Sequence, residues 1–470
     1  MKKRRILWVL GILLLAGVGG AAALFLANRR DVTTTSAAAY EAYREAILNE
    51  NRMYFKEARV GFAKAVELDP SFAMAMLGLA RQSSDRDQGI TLVKRAARER
   101  SRLTERERLH VDLNLAGVEK KRDGVLKAAR ELHDKYPDDV RGASVLAGEQ
   151  LSKGNPDQAI KIFEELLAVD PNNAEAYNQI GYYYGYRGDY DRAIDNLTKY
   201  QFISSDTANP FDSLGENQAY SGRYNEAIEN LNRALAIKAD FAPAYQHLGV
   251  AHEGMGDYGK AVQSYEKASE LADDDSMRRE YLTLAVRAAL IGGDGETARK
   301  VLERIAKFPV DPKSDYAKVG PAYVAILADL SEGKAASAER RLKELKPSLE
   351  ALFADNSKAG KIPPTMKPHY PQWNFLMALA LEEQGRADEA LKLYELNANP
   401  PNPFYDFDGR RWIMEARAKV AEIAARRGDL DRAEKLIAEN RKWNPSWAPC
   451  RPAETAVAEL RRAKVLAASK

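Results

Sequence analysis

The residue types that most often carry catalytic or metal chemistry are few and scattered along the 470 residues of the chain. None of the five histidines stands in an HExxH motif, and none is next to Cys450, the single cysteine. A zinc hydrolase needs such a motif, and one thiol can form neither an intramolecular disulfide nor a multi-cysteine zinc site. We therefore predict that the chain binds no metal and that its fold depends on packing alone.

The segment from Gly254 to Lys260 comes nearest to a cofactor motif, because its glycines and its lysine are spaced like those of a phosphate-binding P-loop. Ala261 stands where that loop has a Ser or Thr hydroxyl for magnesium, and no strand is predicted before the segment. The sequence also lacks a GxSxG nucleophile elbow and the protein-kinase signatures. We predict no catalytic residue, no cofactor and no enzymatic activity.

The distribution of charge argues against nucleic acid as a partner. The whole chain carries a net charge of +3, but its first 30 residues hold six basic side chains and no acidic one, so the other 440 residues carry −3. A nucleic-acid-binding domain has clustered basic stripes that attract phosphates. We predict that the chain does not bind nucleic acid.

Residues 6–27 form a stretch of 22 residues without a charged side chain. A helix of this length spans roughly 33 Å, enough to cross a hydrocarbon core of about 30 Å. We predict a cytoplasmic N-terminus at 1–5, a transmembrane anchor at 6–27 and a tether at 28–38. Four basic residues precede the span and only two follow it closely, which places the rest of the chain outside the cytoplasm.

The predicted span has two further features. Its small residues, such as Gly17 and Ala21, stand four apart, a spacing that could let two copies pair as a homodimer in the membrane. The run from Ala21 to Ala23 also resembles a signal-peptide cleavage site, but Leu24 resumes the apolar stretch beyond it. An uncleaved anchor is the favoured interpretation, and cleavage is the alternative.

The remaining chain repeats with a period of 34 residues. Alanines and glycines mark this period at Ala159, Ala193, Ala227 and Ala261, and at Gly154, Gly188, Gly222 and Gly256. Between them, Tyr177, Ile180 and Tyr184 fall on one face of a helix. Each unit is therefore predicted to be two short amphipathic helices that meet at a glycine turn, with the small alanine where the helices cross.

This pattern resembles the tetratricopeptide repeat (TPR), and repeats that begin at Val140, Ala174, Ala208 and Ala242 match it well. The resemblance implies an all-α TPR superhelical solenoid of antiparallel helix pairs, preceded by one N-terminal transmembrane helix. We predict a regular TPR array at 39–278, degenerate TPR-like repeats at 279–451 with longer loops at 309–319, 346–370 and 397–411, and a C-terminal capping helix at 452–470.

In TPR proteins the first helix of each repeat lines a concave groove that binds proteins or peptides. Matched position by position, the resemblance implies these groove residues: Asn178, Gln179, Tyr182, Tyr186, Asp212, Glu216, Tyr220, Gln246, His247 and Glu253. The Lys and Asn pairs with which some family members clamp C-terminal carboxylates are absent from these positions. The predicted groove is aromatic and mildly acidic, which suits extended peptides.

Together these features predict a membrane-anchored TPR scaffold or adaptor that mediates protein–protein interactions at the bacterial cell envelope. It would cross the inner membrane once, with the array in the periplasm. Two alternatives remain: a sensor or partner component of a signalling system, and an accessory factor for lipid or glycan assembly in the envelope. Four tryptophans in the last quarter of the chain either pack its loops or form a second docking surface.

Overall fold

The computed structural model describes residues 31–310, 312, 314–358, 367–401 and 407–468. Within these ranges the chain forms 23 α-helices and no β-strand, which confirms the predicted all-α class for this part of the protein. The predicted anchor at 6–27 lies outside the described residues. Among the helices inside them, none combines the length and the apolar character that crossing a membrane requires.

The chain divides into two compact units, one up to Leu132 and the other from His133 onwards. The first unit is described from residue 31, and the last turn of its final helix passes the boundary. Its helices are α1 (Ala37–Asn51), α2 (Phe55–Leu68), α3 (Ala73–Arg81), α4 (Arg86–Arg98), α5 (Glu105–Val118) and α6 (Arg122–Lys135). The boundary between the units falls inside the array predicted at 39–278.

The segment ahead of α1 is bonded to the first unit. Thr33 donates from its backbone N–H and from its hydroxyl to the carboxylate of Glu107, at 2.6 Å each. Thr34 donates its hydroxyl to Asp69, also at 2.6 Å. Glu107 completes a capping box with Thr104 at the start of α5. The described part of the predicted tether is therefore fixed in place, and its last two residues already belong to α1, which begins at Ala37.

The second unit begins with the helix pairs of the regular repeats. These are α7 (Val140–Ser152), α8 (Pro156–Val169), α9 (Ala174–Arg187), α10 (Tyr190–Ile203), α11 (Ala208–Tyr220), α12 (Tyr224–Ile237), α13 (Ala242–Met255) and α14 (Tyr258–Leu271). The C-terminal part continues with α15 (Asp275–Ile291), α16 (Gly295–Ile305), α17 (Asp315–Ser331), α18 (Ala335–Lys358), α19 (Pro371–Glu383), α20 (Ala387–Ala398), α21 (Phe407–Arg426), α22 (Leu430–Trp443) and α23 (Arg451–Ala468).

Small residues set the spacing within each regular pair. Ala193, in the first turn of the second helix α10, is fully buried. A Cβ on Gly181 of α9 would lie 2.6 Å from Cγ of Leu197, so only glycine permits this approach. Gly188 follows α9 with φ of +79°, a left-handed conformation that favours glycine and ends the helix. The structure matches the predicted register of these repeats.

The helix-pair pattern continues into the C-terminal part. The predicted crossing alanines Ala298, Ala338, Ala390 and Ala433 are all fully buried. The prediction of a loop from residue 346 is wrong at its start, because α18 continues through Pro347 to Lys358. The final helix α23 packs on α21 and α22 through Ala453 and Val457, the position expected of a cap.

Candidate functional site

The predicted groove residues lie on α9, α11 and α13, the first helices of three consecutive repeats. These helices are neighbours, and the N-terminal half of α21, from the same chain, packs against them. The C-terminal repeats therefore return to the groove that the sequence assigns to a partner. The resulting contacts form three clusters and enclose a cavity.

The first cluster surrounds the ring of Phe407, the first residue of α21. This ring is stacked on Tyr220 with centroids 4.2 Å apart, meets Tyr186 edge-on at 5.1 Å and lies 6.2 Å from Tyr182. We call Tyr182, Tyr186 and Tyr220 the tyrosine cradle. The three tyrosines predicted for the groove are thus brought together around one aromatic side chain, and Phe407 is 5% exposed there.

Arg410, one turn further along α21, holds the end of α9. Its Nη1 donates to the carbonyl of Gly185 at 2.8 Å and to the hydroxyl of Tyr190 at 3.1 Å, and its Nη2 donates to the carbonyl of Tyr186. Carbonyls in the last turn of a helix lack helical partners and carry partial negative charge, so a cation there is favourable. The indole of Trp443 lies against the guanidinium at 5.0 Å.

The second cluster is a buried histidine between two carboxylates. Nδ1 of His247 lies 2.8 Å from Asp212, and its Nε2 lies 3.3 Å from Glu216. The hydroxyl of Tyr182 donates to Glu216 at 2.6 Å. Burial by itself would lower the pKa of His247, but the charges and hydrogen bonds of the two carboxylates outweigh burial and raise that pKa well above its ordinary value. These predicted groove residues bond to one another.

The third cluster, the Glu253 network, consists of Glu253, Tyr265, Arg287, Arg411 and Glu415. Arg411 of α21 contacts Glu253 at 2.5 Å and Glu415 at 3.0 Å. Arg287 reaches Glu415 at 2.7 Å, and Tyr265 donates its hydroxyl to Glu253. Burial lowers the pKa of Arg411, but the two carboxylates outweigh it and hold that pKa well above its usual range. The buried pair of Arg411 and Glu253 therefore joins α21 to the regular repeats, and the half-buried Arg287 of α15 contacts the same cluster through Glu415.

The other predicted groove residues have their described contacts elsewhere. Asn178 is buried, and its Oδ1 has no hydrogen-bond partner among the described residues. Gln179 is half-buried and donates to Glu175 at 2.6 Å. Gln246 is also half-buried. Seven of the ten predicted residues thus belong to the three clusters, while these three do not.

A cavity of about 530 Å³ lies where the C-terminal part meets the regular repeats. Aromatic and apolar side chains line it, with a few charged ones: Tyr220, Tyr258, Phe375, Met414, Trp447 and Glu383 are among them. Its volume is within the range typical of ligand-binding cavities. It can accept apolar side chains and place polar groups near them.

The sequence did not reveal the residues that α21 contributes. Phe407, Arg410 and Arg411 lie in a stretch predicted to be a loop, and no repeat position identifies them. The tryptophans gave a partial signal, since Trp443 lies against Arg410 and Trp447 packs with Met414 and Ala418 of the same helix α21. Asn444, between them, accepts a hydrogen bond from the hydroxyl of Tyr224 at 3.1 Å, across 220 residues of sequence.

Comparison with known proteins identifies the repeats. Models described as the tetratricopeptide repeat match residues 162–195, 145–173 and 242–275, and one described as a TPR repeat matches residues 218–256. The resemblance seen in the sequence is confirmed by these matches. No curated protein matches the sequence.

Several solved structures match the chain over part or most of its length. The crystal structure of MamA is 27% identical, covering 34% of this chain and 93% of its own, with a TM-score of 0.29. TTC0263, a thermophilic TPR protein of Thermus thermophilus, is 23% identical, covering 37% of this chain and 96% of its own, with a TM-score of 0.32. The APC/C hetero-tetramer Cut9–Hcn1 is 14% identical, covering 96% of this chain and 81% of its own, with a TM-score of 0.47.

Proposed function

We propose that this chain, whose residues 145–195 and 218–275 match tetratricopeptide-repeat models, is a scaffold that binds other proteins and is anchored in the membrane at the bacterial cell envelope. Its partner binds through a segment that places an aromatic side chain in the tyrosine cradle. The observation that carries this proposal is the position of Phe407, an aromatic side chain already held by the three tyrosines.

The contacts of α21 indicate what such a partner segment contains. Tyrosine rings provide large, rigid contact area, and aromatic pairs with offset or edge geometry add stability beyond the area they bury. The carbonyls at the end of α9 accept hydrogen bonds from a cation one helical turn after the aromatic residue, as they do from Arg410. The partner segment therefore resembles the pair Phe407 and Arg410: an aromatic residue followed three positions later by arginine or lysine.

Such a partner has to displace α21 from the cradle. The segment of the same chain is present at a high effective concentration, so it lowers the apparent affinity of any competitor. Removing the side chains of Phe407 and Arg410 frees the cradle and the carbonyls of α9. A chain with both replaced by alanine, the released variant, should bind a partner segment more tightly than the natural chain does.

A peptide of residues 397–416 of this chain serves as the probe, labelled with a fluorophore and followed by anisotropy. The released variant, Phe407→Ala with Arg410→Ala, is expected to bind this peptide about tenfold more tightly than the natural chain. Adding Tyr220→Ala to the released variant should abolish the gain. The matched control is Phe202→Ala, which removes an 86% exposed phenylalanine and should change nothing. If the natural chain and the released variant bind the peptide with equal affinity, the proposal is wrong.

The cellular location is part of the same proposal and rests on the charge pattern of the sequence. Residues 6–27 anchor the chain in the inner membrane, with residues 1–5 in the cytoplasm and the repeats in the periplasm. Alkaline phosphatase fused after Ser36 should be active, and a fluorescent protein that folds only in the cytoplasm should be dark there. The reverse pattern would place the repeats in the cytoplasm.

A further inference from the structure

A second cavity, of about 470 Å³, lies among α15, α17, α19 and the side chain of Trp412. Its wall is mainly apolar, with Leu284, Val319, Leu327 and Leu376 among the lining residues. The Glu253 network closes one side of it, since Arg287 lines the cavity and is paired with Glu415. Nothing in the proposed scaffold function uses this cavity.

Arg279 of α15 places a buried positive charge in this apolar wall. The residue is 7% exposed, and Nη1 donates to the carbonyl of Pro309 at 2.5 Å. Its guanidinium lies over the ring of Tyr316, 4.9 Å from the centroid. Nε has no hydrogen-bond partner in the described part of the chain, and no described carboxylate forms an ion pair with Arg279, although Glu280 lines the same cavity.

A buried charge without a counter-ion is costly. Transfer of an unpaired ion out of water disfavours the folded chain unless hydrogen bonds and an opposite charge compensate it. A carbonyl oxygen and a tyrosine ring offer Arg279 partial compensation only. An anion in the cavity would supply the missing charge and accept the unused hydrogen bonds.

The geometry of the unused donors selects among anions. Nη1 is engaged by Pro309, which leaves the edge formed by Nε and Nη2, and this edge binds a carboxylate with two parallel hydrogen bonds. Arg279 has no ion pair with any described residue, so its single charge matches one negative charge, whereas a phosphate monoester would bring nearly two. Arg287 does not supply the second cation, because Glu415 already pairs with it.

We propose that this cavity binds a monocarboxylate with an apolar tail, of the chemical class of a fatty acid. The carboxylate lies on the Nε and Nη2 edge of Arg279, and the tail packs against Leu284, Val319, Leu327 and Leu376. The cavity volume suits a small molecule, since ligand sites of this kind typically measure about 300–1,000 Å³. The site is separate from the tyrosine cradle, so this proposal does not depend on the proposed scaffold function.

Decanoate is the probe, titrated calorimetrically into the full chain. We expect saturable binding with one molecule per chain, and binding of 1-decanol, which has the same tail without the charge, about tenfold weaker or more. This comparison needs no variant. Absence of decanoate binding, or equal binding of decanoate and 1-decanol, would overturn the proposal.

Variants then assign the carboxylate to Arg279. Arg279→Gln should weaken decanoate binding about tenfold while leaving the affinity for 1-decanol unchanged, and the same concentration of decanoate should raise the melting temperature of the natural chain more than that of this variant. Arg278→Gln is the matched control, because the neighbouring Arg278 is more exposed and already pairs with Asp275. Undiminished binding of decanoate by the Arg279→Gln chain would place the carboxylate elsewhere. An apolar pentapeptide with a free C-terminus is the competing ligand. If the peptide binds through Arg279 and decanoate does not, the fatty-acid assignment is wrong.

Discussion

The ring of Phe407 is stacked on the ring of Tyr220, with centroids 4.2 Å apart and planes within 11° of parallel. One residue begins a helix of the C-terminal repeats, and the other ends the first helix of a regular repeat. The contact joins the two parts of the second unit at the place where a TPR protein receives its partner. It makes the tyrosine cradle both a structural contact and the proposed binding site.

Loss of the Phe407 ring should destabilise the second unit. Phe407→Ala is expected to lower the free energy of unfolding by about 3 kcal/mol, because the ring is 5% exposed and leaves a cavity. Urea denaturation measures the change. Tyr220→Ala and the double variant complete a thermodynamic cycle, in which we expect a coupling energy of about 1 kcal/mol. Simple additivity of the two single effects would mean that the stack is absent in solution.

The repeat register is tested at Ala193. Ala193→Arg should lower the free energy of unfolding by roughly 3 kcal/mol or more, because the longer side chain overfills the helix crossing and brings an unpaired charge into it. The control Thr198→Arg, on an exposed position of the same helix, should stay within about 0.5 kcal/mol of the natural chain. Equal melting temperatures for the two variants would show that the register is wrong.

His247 should make stability depend on pH. Its folded-state pKa is raised well above the ordinary value because Asp212 and Glu216 outweigh burial, while the unfolded value is about 6.5. The stability it contributes is therefore fully present below about pH 6.5 and is lost as pH rises through the folded pKa. Urea unfolding at pH 6 and pH 9 should show a larger loss for the natural chain than for His247→Gln. Parallel losses would contradict a protonated His247.

In the Glu253 network, removing a cation and removing a carboxylate should lower the free energy of unfolding by unequal amounts. Arg411→Met leaves Glu253 and Glu415 buried with only Arg287 nearby, and it should cost about 3–5 kcal/mol. Glu415→Gln keeps Glu253 paired with Arg411 and should cost clearly less. Burial raises the pKa of Glu415 to about 7 despite Arg411, which also favours the neutral side chain. If Glu415→Gln lowers the free energy of unfolding more than Arg411→Met does, this account of the cluster is wrong.

The sequence predicts the local structure well, because each repeat is built from contacts within one period. Gly188 and Ala193 identify the turn and the crossing of one pair without reference to the rest of the chain. The same reasoning finds Tyr182 and Tyr220, because each lies on the groove-facing side of a first helix within its own repeat. It does not find Phe407 or Arg411, since a contact between distant repeats leaves no periodic pattern and depends on how small rotations add up along the chain.

The cavity at Arg279 shows that the sequence also does not predict which charged side chains are buried. In the sequence Arg279 is one of several charged residues near the start of α15, where a solvated face would be expected. In the folded chain Arg279 is buried against the carbonyl of Pro309 and the ring of Tyr316, and its Nε has no hydrogen bond among the described residues. Burial of a charge is decided by distant neighbours, so the sequence pattern cannot show it.

The exchange between Phe407 and a partner can be observed directly by ¹⁹F NMR. The natural chain would carry 4-fluorophenylalanine at position 407 and be titrated with the unlabelled peptide of residues 397–416. We predict that the resonance of the stacked ring declines and that a solvent-exposed resonance grows in proportion to the peptide bound. Binding of the peptide with the resonance at position 407 unchanged would show that the tyrosine cradle is not the partner site.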